Sequence, residues 1–257
     1  DTASTEIYTL SQHDALPILS GKWYMFDPTW GAGFVENYQF IPSPNHRFCK
    51  LLPDTLLKTH MPFDPMFQFR ERPLSYEEFD TGVVDEQRSV PVFYWADTLA
   101  LYARQDTLER LASARQRMLS NGRSNDLVYY MLELTSNNIR IAGYQKILNA
   151  YNMAMDLQGK ATDAINEFVR YRNKAFEPLK PDAEIQAMVD VPEELINRAD
   201  SAINSIRTAP ERYREPILKL RDQIMEVATT VYKHKLFLRQ YFKLPAKQRK
   251  GMFKQTK

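Results

Sequence analysis

The sequence predicts an α+β protein in which short strands and structured loops come first and long helices follow. The chain has 257 residues, 44% hydrophobic and 12% aromatic, which is typical of a globular protein. Eight of the fifteen prolines lie between Pro28 and Pro91, where they disfavour long helices and central strands. From Ala96 to Leu244, apolar residues recur instead at intervals of three and four, which indicates helices.

The first part of the chain contains the signals of several short elements. Residues 22–27 alternate in the period-two pattern of a strand, with Asp27 on the same face as Trp23 and Met25. Pro28 ends this strand, and the glycines that follow mark a turn. The other predicted elements are strands at Tyr38–Pro42 and His46–Leu52 and helical turns at Pro53–Leu57 and Tyr76–Phe79.

Three long amphipathic helices are predicted in the second part, and helices of this kind pack as an antiparallel bundle. Helical-hairpin repeats are the alternative, but the sequence shows no repeat at their period of about 34 residues. We expect the tyrosines of these helices to fill the bundle core rather than to line a groove for a peptide. The predicted spans are Ala96–Leu119, Asn125–Phe176 and, with kinks near Pro210 and Pro216, Pro192–Leu244. The tyrosines are Tyr129, Tyr130, Tyr144, Tyr151 and Tyr171.

The net charge of +2 is unevenly distributed. Residues 243–257 hold six Lys and Arg and no acidic residue, which leaves 28 basic and 32 acidic residues in the rest of the chain. This balance argues against a nucleic-acid-binding surface, and no apolar run approaches the ~18–20 residues of a membrane span. We interpret residues 245–257 as a solvated, frayed basic tail, with contact to an anionic surface as the alternative.

The sequence points to no metal or cofactor. His, Cys, Asp and Glu do not occur at metal-ligand spacing, and Gly31–Gly33 lacks the Lys and Ser/Thr of a phosphate loop. Cys49 is the one cysteine of the chain and has no partner for an internal disulfide. Its apolar neighbours Phe48, Leu51 and Leu52 predict a buried and inert thiol.

Asp27 is the candidate for chemistry. A Cys-His nucleophile requires a third group that holds the imidazole in one tautomer and stabilises its cation, and a carboxylate at the end of a strand suits that role. Considered alone, an Asp before a Pro is more typical of a turn. Trp23 and Trp30 flank Asp27, either as a wall that shields a substrate site from water or as core aromatics.

Two stretches of the first part carry a family-like pattern: Gly21–Phe34 reads GKWYMFDPTWGAGF, and Thr59–Phe79 reads THMPFDPMFQFRERPLSYEEF. The first is similar to the pattern GKWYxxDxTWGAG and the second to the THFPEDPxWQLLxxPxSxEEF stretch of transglutaminase-like domains of the cytokinesis-protein and kyphoscoliosis-peptidase type. Residues 21–79 therefore resemble that family, and the resemblance implies nothing firm for the residues after about position 95. Its departures are Met61 for an aromatic residue, Phe63 for an acidic one and Phe67 for Trp.

This resemblance implies a papain-like fold in which Asp27 is the aspartate of a Cys-His-Asp triad acting on amide bonds of a protein or peptide substrate. In the family the cysteine and histidine precede the aspartate, so Cys49 lies in the wrong order. The position of His60 implies a structural role, pinning a loop through a backbone hydrogen bond. We therefore expect a fragment that is inactive by itself. The resemblance slightly favours a peptidase over a cross-linking acyltransferase, and an exported or periplasmic location.

Two alternatives stay open. One is a non-catalytic binding or scaffold protein of the same family, and the other is a helical interaction domain, with the first part of the chain only a remnant of a transglutaminase-like domain.

Residues 1–18 resemble the translation of a sequencing adapter, departing from it at Ser4 and Gln12, and are excluded from fold reasoning. The predicted organisation is an adapter-like segment 1–18, a truncated transglutaminase-like domain 19–92, a helical domain 95–244 and the basic tail 245–257.

Overall fold

The structure, a computed structural model, describes residues 18–19, 22–122 and 125–253. It is mostly helical with two small antiparallel sheets, which confirms the α+β class. Contacts within the chain divide it into two compact units at Gly143 and Tyr144, later than the change in composition near residue 92. Most of the adapter-like segment, Gly21 of the first family-like motif and the last four residues lie outside the described residues.

The first sheet pairs β1, Ile18–Leu19, with β2, Lys22–Trp23. The predicted strand at residues 22–27 is therefore shorter than expected, and it continues only as an isolated bridge between Met25 and Leu51. The predicted strand at His46–Leu52 was wrong apart from this bridge. Lys50 has a left-handed backbone with φ of 57°, and this conformation interrupts an extended ladder.

The second sheet is a hairpin that follows a short helix. Helix α1, Pro28–Ala32, leads into β3, Gly33–Glu36, which pairs with β4, Gln39–Pro42. The two residues between these strands both have positive φ, the backbone that a tight hairpin turn requires. The prediction of a strand ending at Pro42 is confirmed, whereas the glycines predicted to mark a turn lie in α1 and at the start of β3.

Gly33 is required by a close approach of two strands. A Cβ there would collide with the carbonyl oxygen of Ile41 and lie 2.9 Å from the backbone nitrogen of Ser43. We expect Gly33→Ala to lower the free energy of unfolding by about 1–3 kcal/mol, the usual cost of overpacking, as measured by urea denaturation. Gly143→Ala is the control, because its Cβ meets nothing within 4 Å and a helical alanine stabilises by about 0.5–1 kcal/mol. Equal effects at the two glycines would contradict this account.

Short helical elements surround the core of the first unit. Helices α2, Pro53–Leu56, and α3, Tyr76–Thr81, confirm the two predicted helical turns, and a 3₁₀ turn covers Pro65–Gln68. Burial, and after it the charge of Asp64, raise the pKa of Tyr76 well above its usual range, so its hydroxyl stays protonated and donates to the carbonyl of Phe63. The buried apolar residues of this core are Leu57, Met61, Phe63, Tyr76, Met118, Val128 and Leu132.

Glu78 closes the capping box of α3 with Ser75. Its carboxylate accepts from the backbone N–H of Ser75 at 2.8 Å and of Asp85 at 3.1 Å, and it pairs with Arg88 at 2.7 Å. Burial alone would raise the pKa of Glu78, but these bonds outweigh burial and hold the pKa below its ordinary value of 4.5.

A carboxyl whose pKa is lower in the folded state stabilises the fold above its unfolded pKa and loses that contribution as the pH falls through the folded pKa. We therefore expect Glu78→Gln to lower the melting temperature at neutral pH, and the difference from the wild type to shrink below pH 4.5. Melting curves from pH 7 to pH 3 test this, with the exposed Glu77→Gln as control. A difference that stays constant down to pH 3 would contradict it.

The predicted helix at Ala96–Leu119 is two helices, α4, Trp95–Arg104, and α5, Thr107–Ser120. The break comes from a second capping box. Asp106 accepts from the N–H of Glu109, and the Glu109 carboxylate accepts from the N–H of Asp106, both at 2.9 Å. These bonds satisfy backbone donors that a continuous helix would pair internally.

Helix α6, Asp126–Asn173, follows and continues into the second unit. The prediction that its tyrosines fill the core was wrong for Tyr129 and Tyr130, which are 62% and 63% exposed. Tyr171 is buried as predicted, and its hydroxyl donates to the carbonyl of Pro178 at 2.7 Å.

The second unit is built from the rest of α6 with α7, Asp182–Asn204, and α8, Glu211–Lys243. The predicted third helix begins ten residues earlier than expected, because Pro181 rather than Pro192 stands at its start. It ends before Pro210, so the predicted kink is a complete break. All three helices contribute to one buried cluster, as expected of a bundle: Ala154, Leu157, Ala161, Ile196, Ala199, Ile203, Ile206, Ile217, Leu220 and Ile224.

The basic tail is not frayed where the structure describes it, so that expectation was wrong. Helix α9, Ala246–Arg249, and a 3₁₀ turn follow α8. Arg249 pairs with Asp182 at 2.7 Å, and the Phe253 ring lies 5.4 Å from that of the buried Phe176. An apolar anchor and an ion pair therefore hold this segment on the second unit.

Candidate functional site

Asp27 lies where the chain leaves the bridge at Met25 and enters α1. The backbone N–H of Trp30 donates to its Oδ1 at 2.8 Å, so the carboxylate caps the helix. Its own N–H donates to the carbonyl of Phe48 at 3.0 Å, and its carbonyl accepts from Gly31 at 3.1 Å. These bonds fix the carboxylate in one orientation.

The second oxygen of Asp27 faces His60. The distance from His60 Nε2 to Asp27 Oδ2 is 3.0 Å, and the two side chains are only 6% and 11% exposed. The turn that ends α2 places the imidazole, since the backbone N–H of His60 donates to the carbonyl of Leu56 at 2.9 Å. This contact was not predicted from the sequence. The one signal for it was that both residues belong to the family-like motifs.

The other ring nitrogen of His60 contacts a hydroxyl. Thr59 Oγ1 lies 2.7 Å from His60 Nδ1 and 3.3 Å from the carbonyl oxygen of Leu56. The direction of this bond depends on the tautomer, because Nδ1 either accepts from the Thr59 hydroxyl or donates to it. When Nδ1 donates, the Thr59 hydroxyl can donate to the Leu56 carbonyl. His60 Nε2 contacts the Asp27 carboxylate by distance, without the alignment of a hydrogen bond.

Aromatic rings surround this pair. The Trp30 ring lies 4.5 Å from the His60 ring, and Phe48 lies 5.3 Å from Trp30 and 5.4 Å from His60. Exclusion of water by these rings strengthens the interaction between carboxylate and imidazole. Of the two flanking tryptophans, the structure thus brings Trp30 to the Asp27–His60 pair.

Trp23 belongs to a separate aromatic cluster. It stacks on Phe69 at 5.1 Å and meets Trp95 edge-on at 6.2 Å. Phe69 and Trp95 are themselves 5.3 Å apart. Trp23 is half-buried in this cluster.

Cys49 is exposed, so the prediction of a buried thiol was wrong. The sequence between Phe48 and Leu51 is a turn rather than a strand, and the N–H of Cys49 donates to the carbonyl of His46 at 3.1 Å. Apolar neighbours therefore did not indicate burial. Leu52 is also exposed, whereas Phe48 packs against Trp30.

Within the described part of the chain, no group of three or more His, Cys, Asp and Glu residues is placed to hold a metal ion. Over the same residues, none of the helices combines the length and the apolar character that crossing a membrane requires.

Chemically, the site is a row in which one imidazole lies between a carboxylate and a hydroxyl. Such a row holds the imidazole in one orientation beside the carboxylate. Its interpretation depends on this geometry and on the motifs of residues 21–79. Comparison with protein-family models, with curated proteins and with solved structures finds no match for this chain.

Proposed function

We propose that residues 22–79 contribute the aspartate of a Cys-His-Asp triad to a transglutaminase-like cysteine enzyme with a papain-like core. The observation that supports this is the Asp27 carboxylate, which is held by the N–H of Trp30 and directed with its other oxygen at an imidazole. The third member of a triad has the same task, because it must orient an imidazole and stabilise its cation.

The proposed reaction begins with attack of a thiolate on the carbonyl of a protein or peptide amide. The leaving amine takes a proton from the imidazolium, and the resulting acyl-enzyme passes to water in a peptidase or to an amine in a cross-linking enzyme. Cys49 follows Asp27 and is exposed on a turn, so we do not assign the nucleophile to it. The nucleophile and its histidine would come from sequence on the N-terminal side of Asp27.

His60 is a positioning residue in this proposal. A carboxylate offers about four lone-pair sites, of which the N–H of Trp30 and the Nε2 of His60 use two. The remaining sites suffice for a catalytic imidazole. His60 would thus fix the Asp27 side chain, and the aromatic rings would keep water from it.

The test requires a polypeptide that is extended on the N-terminal side to include the proposed Cys and His. We expect Asp27→Ala to lower kcat/KM for a peptide amide by roughly 10²–10⁴-fold, as the loss of a triad member does. His60→Ala is the matched control, since it breaks the same buried pair but keeps the Asp27 carboxylate, which the N–H of Trp30 still holds, so we expect it to lose less activity than Asp27→Ala. Activities are compared per folded molecule, with folding followed by circular dichroism. Equal losses in the two variants would contradict a catalytic Asp27.

A non-catalytic binding or scaffold protein is the second candidate, and one observation favours it. Asp27 caps α1 and contacts His60, whose second nitrogen contacts Thr59. These contacts are sufficient for a purely structural link between α1 and the turn after α2. In that case both variants would lose stability, and the extended polypeptide would lack amidase activity from the start.

A further inference from the structure

Helix α6 carries exposed apolar residues at intervals of seven. Leu127, Leu134 and Ile141 are 47%, 37% and 56% exposed, and Tyr130, three residues after the first, is 63% exposed. The core of the first unit instead takes Val128 and Leu132 from the same helix, and Thr135 is buried as well. The exposed residues therefore form a second apolar stripe that the candidate site does not use.

This stripe has the pattern of a coiled-coil seam. With Leu127 at position a of a heptad, Leu134 and Ile141 are also a positions, and Tyr130 and Asn137 are d positions. The core residues Val128 and Leu132 then fall at positions b and f, which point away from such a seam, and Met131, which packs against the same core, falls at the flanking position e. The helix can thus pack on its own unit and still present residues 127–141, here called the α6 seam, to another helix.

We propose that the α6 seam pairs with the α6 seam of a second copy of this chain in an antiparallel coiled coil. In the register that sets Leu134 opposite Asn137 of the other copy, Tyr130 falls opposite Ile141. The seam is then self-complementary about a two-fold axis, as a symmetric dimer interface must be. This proposal does not rest on the proposed enzyme function.

Charge complementarity selects this partner and this direction. Glu133 and Arg140 are exposed g positions that flank the seam. In the antiparallel register each Glu133 lies beside Arg140 of the other copy, so the pair forms twice. A parallel dimer would instead set these charges against Asn138 and Gln145 at e positions.

Sedimentation velocity of the full chain, from low to high micromolar concentration, tests the proposal. We expect the average mass to rise from 30.1 kDa toward that of a dimer, and Ile141→Glu to abolish the rise. Leu101→Glu is the matched control, because Leu101 is 59% exposed on α4 of the same unit, and the dimer should persist in it. A chain that stays monomeric, or a dimer that survives Ile141→Glu, would overturn the proposal.

A charge exchange tests the antiparallel register separately. We expect Glu133→Arg to weaken the dimer at least about tenfold at low salt, since like charges then face each other at both symmetric positions. The double variant Glu133→Arg with Arg140→Glu restores opposite charges and should restore the dimer. Circular dichroism confirms that each variant keeps its helices. Failure of the double variant to recover dimerisation would exclude the antiparallel pairing.

Discussion

Arg117→Ala should lower the free energy of unfolding by about 3–5 kcal/mol, the usual result of removing one partner of a buried ion pair. Arg117 binds Asp64 through two parallel bonds, from Nε at 2.8 Å and from a terminal nitrogen at 2.7 Å. The Asp64 side chain is only 8% exposed, so the substitution leaves its carboxylate buried without the Arg117 charge. Of the contacts named here, the carboxylate then keeps the hydrogen bond from the backbone N–H of Met66. Urea denaturation measures the loss.

The control for this prediction is a surface pair of the same chemical type. Arg214 pairs with Glu211 at 2.9 Å, with side chains 64% and 78% exposed, and Arg214→Ala should cost less than about 1 kcal/mol. Adding Asp64→Asn to Arg117→Ala should recover part of the stability, because the unpaired charge is then removed. Equal losses for Arg117→Ala and Arg214→Ala would show that burial of the pair does not matter.

Asp27→Ala should destabilise the protein by about 2–4 kcal/mol, because it removes a helix cap and the partner of a buried imidazole at once. Asp27→Asn keeps an oxygen for the N–H of Trp30 and should lose less. Thermal and urea denaturation of both variants measure the effect, with Asp54→Asn as control, since the Asp54 side chain is 78% exposed. If Asp27→Ala proves no worse than Asp54→Asn, the carboxylate does not hold this site together.

The sequence was most informative where local rules apply. Periodicity predicted helical structure over most of residues 96–244, because an amphipathic stripe is written directly in the spacing of apolar residues. The break before α5 could also have been predicted, since Asp106 and Glu109 have the spacing of a capping box. It was not predicted because the apolar periodicity continues on both sides of it. The start of α7 was predicted at the wrong proline. Pro192 lies inside the helix, where contacts of the helix compensate for the backbone hydrogen bond that a proline cannot make.

The candidate site could be predicted only in part. Motif resemblance singled out Asp27, and the Asp-Pro pair foretold a change of direction there. Asp27 and His60 are 33 positions apart in the sequence. Neither the periodicity nor the charge of the segment between them predicts their contact. The same holds for Asp64 and Arg117, and for the anchoring of the basic tail through Phe253. The exposure of Cys49 was not predicted because the apolar residues around it suggested burial. The positive φ of Lys50, which turns the chain there, cannot be inferred from those neighbours.

The central claim is that Asp27 completes a Cys-His-Asp triad, and the coding DNA upstream of the Leu19 codon tests it most directly. Our account predicts an open frame that encodes a cysteine at a helix start, followed by a histidine in a His-Ala-Trp-like strand. A frame that continues with other residues at those two positions would contradict the triad. The Asp27–His60 pair would then be a structural element of a binding protein.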